Sequence, residues 1–113
     1  MAKRLKAAQP EIEQIILIDL NEIKLVDLMG SDHTPDQFKE ILGNWIYCNA
    51  TGIEVADIGR ALNKTGVCNI KGAEFAEVFN IVLQIQGFGF WAMEKIRIYF
   101  TDKLTEFNKN KIS

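Results

Sequence analysis

The chain has 113 residues, 48% hydrophobic and 25% charged, with 13 Lys and Arg against 15 Asp and Glu and a formal net charge of −2. A chain of this length holds one core and buries enough surface to fold without disulfides or metals. Its apolar content excludes a disordered tail, and the lack of any run of about 18 apolar residues excludes a membrane-spanning helix. We therefore expect a single domain over 1–113, with a basic arm at 1–9 and a polar tail at 108–113 as flexible ends.

Lys3, Arg4 and Lys6 open the chain, but Glu11, Glu13 and Asp19 interrupt the apolar stretch that follows, so no secretion signal is read. The expected location is cytoplasmic, where Cys48 and Cys68 stay reduced thiols. Residues 10–29 fit two descriptions. Glu11 and Glu13 suit the first turn of a long helix, whereas Ile15 to Asp19 reads as a short strand. The helix is the reading adopted.

Thr34-Pro35-Asp36-Gln37 supplies an N-cap hydroxyl, a proline at the first helical position and a capping-box glutamine. Phe38, Ile41, Leu42, Trp45 and Ile46 continue one apolar stripe to about Asn49. A second helix spans Gly52 to about Asn63, capped by Thr51 and Glu54, and Lys64-Thr65-Gly66 ends it. Val67 to Ile70 reads as a connection. A third helix covers about Gly72 to Gln86, with a strand from Ile81 as the alternative. Gly87-Phe88-Gly89 breaks the chain before a fourth helix from about Phe90 to Phe107. The predicted fold is mainly α, a compact bundle of four to five helices with room for a short N-terminal strand or hairpin.

Several constellations that carry chemistry elsewhere lack the required company here. A nucleophilic cysteine needs a partner that lowers its pKa, and His33 is the sole histidine. Cys48 borders an apolar stripe, the usual place of a buried inert thiol. Asp32, His33 and Asp36 sit where helix-starting residues belong and are too few for an oxygen-rich metal site. Gly87 to Ala92 matches the letters of a dinucleotide turn, yet no strand bearing an acid follows about twenty residues on. We assign no catalytic residue, no metal and no cofactor, and expect a protein that is not an enzyme.

Gly52-Ile53-Glu54-Val55-Ala56-Asp57-Ile58-Gly59-Arg60-Ala61-Leu62-Asn63, with small Cys48 four residues earlier, resembles the turn and recognition helix of the LacI-type helix-turn-helix. The resemblance implies that Cys48 lets two helices approach, that Gly52 takes the turn and that Ile53, Ile58 and Ala61 pack inward. It also implies DNA contact by Arg60 and Lys64, aided by the arm Lys3, Arg4 and Lys6. Glu54 and Asp57 depart from the pattern, since carboxylates repel the phosphates that supply most affinity.

The last helix suggests another function. Met93, Ile96, Phe100, Leu104 and Phe107 can face a core, whereas Trp91 and Ile98 lie seven apart on a different side. Two apolar stripes call for two partners, and exposed aromatics are enriched at binding surfaces. The expected function is protein–protein interaction or self-association, including a homodimer, through Trp91, Ile98 and Phe88. A helix-turn-helix DNA binder is the alternative.

Overall fold

The computed structural model describes residues 15–112, with side chains described to residue 109. Strand β1, Ile15–Asp19, alternates exposed and buried residues and leads into a 3-10 turn at Leu20–Glu22. Helices α1 (Phe38–Asn49) and α2 (Ile53–Thr65) follow, then strand β2 (Val67–Lys71) and helices α3 (Gly72–Leu83) and α4 (Phe90–Ile112). The described chain is mainly α, with four helices and a two-stranded antiparallel sheet. The basic arm at 1–9 lies outside the described residues, and α4 continues through most of the stretch expected to be a polar tail.

The long helix expected over 10–29 gives way to strand from Ile15 onward. Ile15 pairs with Lys71 and Asp19 with Val67, so the segment expected to be a connection is the strand's partner. Pairing decides the matter, because it holds the run at period two and sends Ile16 and Ile18 to the buried face along with Ile70. A helix would scatter those isoleucines around its axis. Tyr99 of α4 fastens the strand's end: its hydroxyl accepts from the Asp19 N–H at 2.9 Å and donates to Glu22 Oε1 at 3.1 Å. Burial, reinforced by the carboxylate of Glu22, pushes the Tyr99 pKa up to about 12, so it stays a neutral donor.

Helix α1 begins three residues later than its capping signal suggests. Thr34 is engaged elsewhere, because its Oγ1 accepts from the Leu25 N–H at 2.8 Å and donates to Asp32 at 2.6 Å. Gln37 takes the cap position without a side-chain bond. Thr51 is likewise diverted from α2, its hydroxyl donating to Glu77 of α3 at 2.7 Å while Gly52 stands at the N-cap. The expected C-terminal stop holds, with Gly66 in the left-handed conformation (φ 81°) and its N–H bonded to the Leu62 carbonyl.

Phe38, Leu42 and Ile46 of α1, Val55 and Leu62 of α2, Phe75, Val78 and Val82 of α3, and Ile96 and Phe100 of α4 form one buried cluster with the inner face of the sheet. Trp45 ties α1 to α3 by donating to the Ile81 carbonyl at 2.7 Å. Most of the apolar spacings read in the sequence find their partners in this core; Ile41, read into the α1 stripe, is instead 37% exposed.

Helices α1 and α2 lie side by side and antiparallel. Gly43 faces Asn63 and Gly59 faces Tyr47, so contact persists over at least a full turn on each helix. At the far end, the Lys39 ammonium reaches the Lys64 carbonyl at 3.2 Å, and the Asn63 amide donates to the Glu40 carbonyl at 3.0 Å. The small residues that permit this approach are Gly43 and Gly59, both buried, and not Cys48, which is exposed. Ile53, expected inside, is 69% exposed, whereas Ile58 is buried and Ala61 half-buried.

Candidate interaction surface

Between the 3-10 turn and α1 the chain makes a tight reversal at Val26–Asp32, closed by an isolated antiparallel bridge between those two residues. Asp27 organises it from the base. Its Oδ1 accepts from the N–H groups of Met29 and Ser31, each at 2.9 Å, and its own N–H donates to the Ser31 carbonyl at 3.0 Å. Gly30 supplies the positive φ (88°) that the reversal needs. Leu28 and Met29 are left at the tip, 103% and 89% exposed.

The turn is linked to α4 through His33. Asp27 Oδ2 lies 2.7 Å from His33 Nε2, and the His33 ring meets Trp91 edge-on with centroids 5.5 Å apart. The bond to His33, followed by the Ser31 amide, holds the Asp27 carboxyl below its ordinary value. Between turn and helix lies a hollow of about 430 Å³, lined by Val26, Asp27, Leu28, Met29, Trp91, Glu94 and Lys95. Phe90 stands exposed at the head of the same helix, and Ile98, 47% exposed, lies two turns further along.

Because Asp27 has a folded pKa below 3.8, its contribution to the turn is fully present above that value and is lost as pH falls through the lowered one. The backbone amide shifts of Met29 and Ser31 are expected to titrate together, with a midpoint below 3.8. Asp27→Asn should abolish that transition. A shared midpoint at or above the ordinary value would contradict the hydrogen-bonding account of the turn.

The three residues expected to bind a partner separate in space. Trp91 and Ile98 lie on the outer side of α4, while Phe88 turns inward and meets the Phe38 ring edge-on at 6.0 Å. Leu28 and Met29 have no distinct place in a helix read through residue 29, and the structure puts them at the surface. Their signal was the Asp27-to-Ser31 stretch itself, where an aspartate, a glycine and a serine bracket two apolar residues in a turn pattern.

The DNA-contact residues of the alternative lie on the outward side of α2. Arg60 is ion-paired with Asp57 and stacked over the Tyr47 ring at 5.0 Å, and both partners hold its pKa above the ordinary value. Lys64 lies on the same shallow groove, about 360 Å³ in volume, with Asn44 and Asn63. Lys3, Arg4 and Lys6 fall outside the described residues. Asp57 is exposed beside Arg60, so this face carries both signs, and Glu54 is exposed in the first turn of the same helix.

Among the described residues, no three His, Cys, Asp or Glu side chains group closely enough to hold a metal ion. Asp32 is occupied by the Thr34 amide and hydroxyl, and His33 by Asp27. Burial pushes the Cys68 thiol up, opposite to what a nucleophile requires. No helix among the described residues is long and apolar enough to cross a membrane. Comparison with known proteins finds no matching family model, no matching curated sequence and no matching solved structure.

Proposed function

We propose that this protein acts by binding another protein through the surface formed by the 27–31 turn and the outer side of α4, and that it is not an enzyme. One observation carries the reading: Leu28 and Met29 stand in solvent on a turn held by four hydrogen bonds between Asp27 and residues 29–31. Apolar side chains on a loose loop signify little, but on an ordered turn they meet a partner without a large loss of conformational entropy. Trp91 beside them supplies the large aromatic typical of binding hot spots. A reducing, cytoplasmic setting suits the exposed free thiol of Cys48.

The test places a photo-crosslinking amino acid at Leu28, at Ile98 and, as a control, at exposed Asn108 of the full chain. The expected result is one protein adduct, the same by mass spectrometry from positions 28 and 98, absent from 108 and lost in Trp91→Ala. Adducts that match those of the control, or none, would overturn the proposal. The second reading, DNA binding through Arg60 and Lys64, is favoured by their shared exposure on α2 and opposed by the Asp57 ion pair. It differs in demanding duplex-DNA binding that weakens steeply with salt.

A further inference from the structure

Trp91, Glu94, Lys95 and Ile98 fall within about 100° of arc on α4, at about 100° per residue. All four are exposed, and they face away from the side on which Ala92, Ile96 and Phe100 are buried. The stripe thus consists of an aromatic at one end, an aliphatic at the other and an acid–base pair between them. Both signs occur in adjacent positions at its centre.

We propose that the partner of this surface is a second copy of the chain, docked by an antiparallel α4–α4 contact whose twofold axis passes between Glu94 and Lys95. A twofold axis sets each residue opposite the one equally far from the midpoint on the other helix. With the axis at this place, Glu94 faces Lys95 of the partner subunit and Trp91 faces Ile98 of the partner subunit. Both matches are made twice, and one axis position satisfies them together. A parallel pairing would instead set acid against acid and base against base, which opposes association.

The turn completes the contact. Leu28 and Met29 line the hollow beside Trp91 and leave about 430 Å³ into which the partner's Ile98 can enter. The apolar ends supply affinity, whereas the charges at the middle fix direction and register, since exposed ion pairs contribute little by themselves. This inference rests on the docking role of the surface and names its occupant.

Sedimentation of the full chain over a range of concentrations provides the test. The parent is expected to pass from the 12.8 kDa monomer to a species of twice that mass. Glu94→Lys and Lys95→Glu should each weaken self-association by at least about tenfold, because each places like charges across the axis. Mixing the two variants in equal amounts should restore a dimer containing one of each, and the double variant should also dimerise. Both positions are exposed, and circular dichroism is the check that the variants fold. A parent that stays monomeric, with the crosslink from position 28 reaching a different protein, overturns the second-copy inference and leaves the docking role standing. A dimer indifferent to the charge exchanges overturns the axis and hence the inference. Loss of both the dimer and the crosslink overturns the docking role itself.

Discussion

Phe100→Ala is expected to remove about 3–5 kcal/mol of stability, the usual cost of emptying a buried aromatic site. Phe100 is 0% exposed, its ring is stacked on Phe79 at 5.5 Å and lies 5.9 Å from Phe75. These rings join α3 to α4, the pair that closes the core over the inner face of the sheet. Small domains have unfolding free energies of only about 5–15 kcal/mol, so the variant should unfold at a much lower urea concentration. Its denaturant slope should change little. A midpoint near that of the parent would mean that neighbouring side chains collapse into the vacated space. Phe100→Leu keeps much of the buried area and is expected to lose less than half as much.

The second large effect is expected where α1 and α2 touch. A Cβ on Gly43 would lie 2.3 Å from the Asn63 backbone nitrogen, and one on Gly59 would lie 2.6 Å from that of Tyr47. Backbone cannot rotate aside as a side chain can, so the helices must separate. Overpacking at its upper range costs about 3 kcal/mol. Better helix propensity of alanine returns about 1 kcal/mol. Gly43→Ala should therefore lose about 2 kcal/mol, lowering Tm by roughly 10 °C in a domain of this size. Gly52→Ala serves as the control, because a Cβ there meets only the Glu54 carboxylate at 3.6 Å. Equal melting of Gly43→Ala and the parent would show that parting the helices costs no more than the roughly 1 kcal/mol that alanine's helix propensity returns.

The later helices were legible because each carries its own evidence of period and termination. Val55, Ile58 and Leu62 recur at helical spacing, and Gly66 stops α2 where a left-handed residue is needed. The errors share a different cause. Thr34 and Thr51 look like caps to a local reading, but each hydroxyl serves a group outside its helix: Thr34 bonds its neighbour Asp32 and the Leu25 N–H, and Thr51 bonds Glu77 of α3. Ile15 to Ile18 is an unbroken apolar run whose period the sequence leaves open; its partner begins at Val67, beyond two helices, and only that partner makes the strand preferable to a helix.

The candidate surface divides along the same line. Seven-residue spacing sets Trp91 and Ile98 apart from the core side of α4 without knowledge of any other element. Phe88 is their neighbour only along the chain, and the break at Gly87–Gly89 turns it toward Phe38. Gly43 and Gly59 carry a usable signal in the sequence, because a glycine inside a helical pattern commonly marks close packing. Cys48, the small residue to which the helix-turn-helix resemblance assigns that role, is exposed.

Pairing β1 with β2 closes a loop that contains everything from Leu20 to Gly66, including the antiparallel helix pair. The helix pair needs only a short connection at 50–52, so its ends meet at little entropic cost, whereas the strands meet only after that whole stretch is confined. Folding kinetics therefore favour the helices as the early structure and the sheet as the step that joins a segment already ordered. Shortening the 50–52 connection and altering the strands would accordingly act on different stages of the same reaction.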